Sequence, residues 1–307
     1  DWFTNTNWLP PAVPNICGAT IVIYANRAPF PVIRTGPNTS DVQVGNMYIE
    51  GGATVTVNSG RTLSVCGDWN TFNAYTTDTV SEVKGAGKVI MNGGFTQGFT
   101  GISRFKLLEL DNILGAAIGA NAVASVETGL HLILGDLNTT AGTLHLLSKS
   151  ATHSAYLDNF TPGFAGTLTG NIYMDRFMPI RGFNQHYMSS PVNAPTLKQL
   201  GASGPDGIFV QPDAYCDETK SAYHSPYGTV FSYDDTYMAA GQCKLGNWQI
   251  KSQGTMDNGR GYSSYQQGDT VRSLIGVPNT SDLAVSCLLS TSPSPRYRTR
   301  SRMPSSA

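Results

Sequence analysis

Residues Ile49–Trp69 read IEGGATVTVNSGRTLSVCGDW. Apolar Ile49, Ala53, Val55, Val57, Leu63 and Val65 alternate with polar Glu50, Thr54, Thr56, Asn58, Thr62 and Ser64. Period two marks a strand with one buried face, because successive side chains leave a pleated backbone on opposite sides. The run breaks at Gly51-Gly52 and again at Asn58-Ser59-Gly60, and Gly52 and Gly60 stand only eight residues apart. Corners this close leave no room for long hairpins; short strands joined by tight Gly or Asn corners stack well when the chain coils. The spacing Val57-x-x-Gly60-x-x-Leu63-x-Val65 recurs 69 residues later as Val126-x-x-Gly129-x-x-Leu132-x-Leu134. A shift of that size predicts three coils of about 23 residues, within the range of solenoid repeats. A β-sandwich also gives short alternating strands with frequent turns, and is the competing arrangement for this half.

Composition narrows the class. Charged residues make up 13% of the 307, glycine accounts for 33, and the formal net charge is -1. That balance suits turn-rich β structure and offers no basic surface for nucleic acid. No apolar run approaches the roughly 18 residues of a membrane span. The chain opens at Asp1 with no signal peptide, as expected of a processed protein or a fragment.

Along the chain, residues 1–40 are rich in proline and aromatics and read as an N-terminal cap for the first coil. Residues 41–175 carry the alternating strands of the solenoid. From 176 to 286 the alternation becomes irregular and tyrosines crowd in around Trp248, which reads as a β-sandwich-like domain. The expected fold is therefore all-β, a right-handed parallel β-helix followed by a sandwich. Residues 287–307, CLLSTSPSPRYRTRSRMPSSA, hold Arg296, Arg298, Arg300 and Arg302 with no acid. They read as a disordered basic tail and closely resemble translated sequencing-adapter DNA, which marks them as artefactual; without those four arginines the net charge would be -5.

Setting Cys287 aside leaves Cys17, Cys66, Cys216 and Cys243. None forms a CxxC pair, so no zinc site is expected. Cys216 and Cys243 flank one Tyr-rich segment and are the disulfide candidate, an extracellular habit; two separate buried thiols are the alternative.

Several stretches carry a resemblance: NWLPPAVPN, ATIVIYANRAPFPVI, YIEGGATVTVNSGRTLSV, GKVIMNGG, FKLLELDN and GLHLILGDL, then YMSSPV, GNWQI, GRGYSSY and GDTVRSLIGVPNT. Together they resemble the large secreted β-helix proteins of Bacteroidota that leave the cell by type IX secretion. The resemblance implies a surface or extracellular protein with a C-terminal sorting domain, which this chain does not show. It also implies O-glycosylation at Asp-Ser/Thr-aliphatic triplets, which Asp78-Thr79-Val80 and Asp269-Thr270-Val271 match.

Catalytic residues do not stand out. Polysaccharide lyases on solenoids need clustered acids beside an Arg or Lys base, often with calcium. Lys106, Glu109 and Asp111 are the nearest set, but Phe105, Leu107 and Leu110 read as the core face of that strand and place the charges on its solvent face. His131 and His145, each in a Leu-His-Leu triplet, read as outward positions on neighbouring strands, too close in sequence to share a column. A glycosidase pair of carboxylates is not picked out by Asp213, Asp217, Glu218, Asp234 or Asp235. Aromatic rings stack on sugars, so Trp248, Tyr262, Tyr265 and Asp234 form the candidate glycan site, with Asp234 and Asp235 able to hold calcium; the alternative is that these aromatics fill a small core. The functional expectation is a non-catalytic secreted or cell-surface scaffold or adhesin, with surface polysaccharide as a partner. The alternatives are a carbohydrate-binding surface protein and, behind it, a polysaccharide-degrading β-helix enzyme.

Overall fold

A computed structural model describes residues 1–36, 39–73, 80–159, 161–179, 185–200, 230–233, 248–251, 254–265 and 269–279. The first coil carries β1 (Ile21–Ile23), β2 (Val32–Ile33) and β3 (Val42–Val44). The second repeats them as β4 (Met47–Glu50), β5 (Thr54–Val57) and β6 (Thr62–Val65), and the third as β7 (Trp69–Phe72), β8 (Val80–Lys84) and β9 (Lys88–Met91). Two sides then fuse: β10 (Gln97–Thr100) leads into the long β11 (Ile102–Asp111), and β12 (Ala116–Ile118) into β13 (Val123–Leu134). Next come β14 (Asp136–Asn138) and β15 (Thr143–Leu146), a hairpin of β16 (Ser148–Ser150) and β17 (His153–Ser154), then β18 (Tyr156–Asp158), β19 (Thr167–Thr169) and β20 (Ile172–Met178). One side is the stack β1-β4-β7-β10-β12-β14-β19, and the other sides form a second, larger sheet. The chain up to β20 is a β-solenoid built of parallel pairs, with β1 and β2, inside the segment read as a cap, already paired to β4 and β5.

Alternation explains the stack. Ile21, Met47, Trp69, Phe99 and Ile118 succeed one another in register on the first side, and all are buried. Val65, Met91, Leu110 and Leu132 form a second buried column. Each such side chain withdrawn from water contributes about 1.5–3 kcal/mol. The register corrects the motif alignment drawn from sequence: Leu63 stacks through Val89 and Leu108 on Leu130, not Leu132, and Val65 ends on Leu132, not Leu134. The reason lies at the Asn58–Arg61 corner, which separates β5 from β6 but has no counterpart in the continuous β13. A slip of two residues preserves the face, so the pattern survived while the partners changed.

Corners are built from glycines and buried amides. Gly135 has φ +85°, and a Cβ there would lie 1.8 Å from the Asn112 carbonyl oxygen, so only glycine fits. Gln97 and Asn112 are buried at one corner. The Gln97 amide donates to the Val65 and Gly67 carbonyls, and its oxygen accepts from Gly93 N–H (2.9 Å) and Asn112 Nδ2 (3.0 Å). Asn112 in turn donates to the Phe95 carbonyl (2.7 Å) and accepts from Leu114 N–H (2.9 Å). Three coils are thus tied by two side chains whose polar groups are satisfied, as burial requires.

Both ends are closed. Buried Trp2 packs edge-on against Trp8 at 4.7 Å and takes its backbone N–H to the Val32 carbonyl. A disulfide joins Cys17, ahead of β1, to Cys66 at the corner after β6. This pairing was not anticipated; Cys216 and Cys243 lie outside the described residues, as do Cys287 and the rest of the tail. Beyond β20, strands β21 (Gln185–Met188), β22 (Val230–Tyr233), β23 (Trp248–Lys251) and β24 (Tyr262–Tyr265) make an antiparallel sheet in the order β21-β24-β22-β23. Strand β25 (Thr270–Gly276) then returns to pair antiparallel with β20 along seven residues, and so joins the solenoid sheet. Gln199, in the short 3-10 turn Leu197–Leu200, accepts the Ile275 N–H at 2.9 Å and blunts that new edge. Among the described residues no helix is long and apolar enough to cross a membrane.

Candidate functional site

The outward face of the larger sheet gathers most of the charge that the sequence marked as chemically suggestive. Lys106, Glu109 and Asp111 all lie on β11 but do not converge. The Lys106 ammonium is bound to Glu127 on β13. The Glu109 carboxylate is nearly buried, held by Lys88 at 2.8 Å and His131 Nδ1 at 3.0 Å. Asp111 stays exposed at the strand end.

Glu127 is the hub of a cation cluster. Lys106 and Lys149 both contact its carboxylate, and Arg104 Nε stands 3.9 Å away while its guanidinium reaches Glu82 at 2.7 Å. Burial pushes the Glu127 pKa up, but the two ammonium groups outweigh it and leave the carboxyl below its ordinary value. The group is an anion that links neighbouring coils, not a proton donor.

His131 and His145 sit in different columns, as their spacing implied. His131 stacks in register between Glu109 and Asp158, whereas His145 pairs with Ser125 and Tyr173. His131 Nδ1 meets Glu109, and Nε2 lies 3.1 Å from the hydroxyl of Tyr156, a residue the sequence reading passed over. The Phe164 ring is 5.9 Å from the imidazole. A carboxylate, an imidazole and a phenol thus run in one hydrogen-bonded line across three coils.

His145 stacks on Tyr173 at 4.4 Å. Burial lowers its pKa from the ordinary value, partly opposed by the Asp175 charge. The folded protein therefore prefers the neutral ring, and the unfolded chain takes up the proton first. The stability that His145 contributes is whole above pH about 6.5 and declines as the pH falls through the lowered folded value. A thermal melt series is expected to show a falling midpoint below that pH, and His145→Phe, which keeps the stack, should flatten the slope. An unchanged slope in His145→Phe would assign the pH dependence elsewhere.

The aromatic set in the second half is only partly described. Tyr262 is 2% exposed, and its phenol oxygen accepts the Asp257 N–H at 2.9 Å. Burial is also the main cause raising its pKa. Tyr262 therefore has no open ring face and fills the core. Trp248 lies opposite Tyr233 on β23, and Tyr265 opposite Gln185 on β24. Asp234 and Asp235 lie outside the described residues, as do Asp213, Asp217, Glu218, Asp78 and Thr79. Among the described residues no group of three His, Cys, Asp or Glu side chains is placed to hold a metal ion.

No protein-family model matches the chain, and no curated protein or solved structure does either.

Proposed function

We propose that the protein is a non-catalytic scaffold or adhesin, secreted or held at the cell surface. The observation that supports this reading is the use made of its outward charges. Glu82 is paired with Arg104, Glu109 with Lys88 and His131, and Glu127 with Lys106 and Lys149, each across neighbouring coils. A lyase or glycosidase face requires carboxylates and a base directed at substrate, whereas these groups are directed at one another. The first side is built likewise: Thr100 donates to Asn70 at 2.9 Å, and Thr167 and Thr169 donate to Asp136 at 2.8 and 3.0 Å.

The Cys17–Cys66 disulfide supports an oxidising compartment outside the cytosol. The sequence resemblance adds type IX export from a member of the Bacteroidota to this proposal. Beads coated with the protein are expected to adhere to cells, and incubation with polysaccharides should release neither reducing ends nor unsaturated products. Release of either product, or beads that bind no cell type, would overturn the reading.

A further inference from the structure

We propose that Tyr156, with His131 and Phe164, forms a stacking platform for a neutral pyranose sugar of a surface glycan. The inference deepens the adhesin reading and rests on it.

Placement is the first ground. The far end of the Tyr156 ring occupies the space that a side chain at residue 129 would fill: a Cβ on Gly129 would come within 2.8 Å of Cζ and 3.0 Å of Cε1. The ring therefore lies down over the sheet instead of standing away from it. It remains 48% exposed, so an aromatic surface supported from beneath by backbone is open to solvent.

Orientation is the second. The phenol hydroxyl is held by His131 Nε2, His131 by Glu109, and Glu109 by Lys88, over links of 3.1, 3.0 and 2.8 Å. A ring fixed in this way has little conformational freedom left to lose when a ligand arrives, which favours binding.

Chemistry selects the class of ligand. A pyranose offers an apolar C–H face to an aromatic ring and a rim of hydroxyls to nearby polar groups. Asp158 stands in register beside His131, and Thr161 donates to it through its backbone N–H (3.1 Å) and hydroxyl (2.6 Å). The cation in this line, Lys88, is already held by Glu109. With Glu109 and Lys88 offsetting each other, the carboxylate of Asp158 disfavours uronates and sulfated sugars, and a neutral hexose meets no such repulsion.

The test uses the full chain, with dextran, a β-1,3-glucan and a galactan as neutral probes and polygalacturonate as the acidic one. Calorimetry is expected to show binding to at least one neutral probe, and the Gly129 amide resonance should shift during the titration. Tyr156→Ala should weaken that binding by at least about tenfold, equivalent to ~1.4 kcal/mol. Gly129→Ala, whose new methyl pushes the ring from its seat, should do the same, while Tyr156→Phe, which keeps the stacking face but loses the hold of His131, should fall between wild type and Tyr156→Ala. Preference for polygalacturonate, or no binding to any probe, overturns the inference, and the bead assay then judges the adhesin reading separately. Neutral-glycan binding that survives both Tyr156→Ala and Gly129→Ala overturns this site and leaves glycan recognition elsewhere on the protein.

Discussion

Replacing Cys66 with serine is expected to lower the unfolding free energy by about 4 kcal/mol at 25 °C, as the chain-entropy account gives for a crosslink of this span. The bond joins residues 49 apart with a Cα–Cα distance of 5.3 Å, within the usual range for a disulfide. Cutting it frees the unfolded segment that contains the first two coils. Cys17→Ser, Cys66→Ser and the double substitution should agree, because each removes the same link, and wild type in reductant should melt with them. A solenoid couples each coil mainly to its neighbours, so the loss should be uneven. Amide exchange is expected to accelerate most in β1 to β6 and least in β13. Reductant that leaves the unfolding midpoint unchanged would show that the link does not restrain the unfolded chain, and would remove the support it gives to an oxidising compartment.

The sides of the coil differed in how plainly they could be read. Thr54–Val57 and Thr62–Val65 alternate plainly because Val55, Val57, Leu63 and Val65 face the core and threonine or serine stands between them, even though Thr54 and Ser64 are themselves buried. The first side carries strands such as Gln97–Thr100, Ala116–Ile118 and Asp136–Asn138, whose three or four residues hold too little contrast to register as alternation. Gln97 also reverses the usual sign, a polar residue buried to satisfy a corner. Four cysteines permit three pairings, and proximity in sequence favoured Cys216 with Cys243. The bond from Cys17 to Cys66 depends on which corners stack, and that follows only once the register is known. The relay behind Tyr156 was hidden for the same reason. Gly129 was legible as a corner, yet it lies within β13 at a shift of register between Val126 and Gly129, and it leaves room for Tyr156 on the next coil. The β16–β17 hairpin between them stretches that coil beyond the average period and conceals the match.

Phe105→Ala is expected to be comparably severe, at about 3–5 kcal/mol, the usual loss for truncating a large aromatic in a core that cannot collapse around the gap. Phe105 is fully buried, edge-on to Trp69 at 4.8 Å and to Phe99 at 5.9 Å, and it stacks in register on Val126. Its neighbours have little freedom to close the cavity. The Trp69 indole N–H is committed to the Ser103 hydroxyl at 2.9 Å, and Ser103 in turn meets Thr71 at 2.7 Å. Moving Trp69 into the gap would break that bond and leave buried polar groups unmatched, at about 1–3 kcal/mol each. Phe105→Leu, which retains much of the volume, should cost well under half as much, and the ratio between the two variants measures how rigid this layer is. Urea unfolding monitored by tryptophan fluorescence reads both. A Phe105→Ala loss below about 1 kcal/mol would mean that Trp69 relaxes into the space, against the hydrogen bond from its indole to Ser103. The Tyr156 platform lies on the outward face of the adjoining β13 and β18, so its ligand binding should persist in Phe105→Ala while the variant remains folded, separating the core of the solenoid from the surface that it displays.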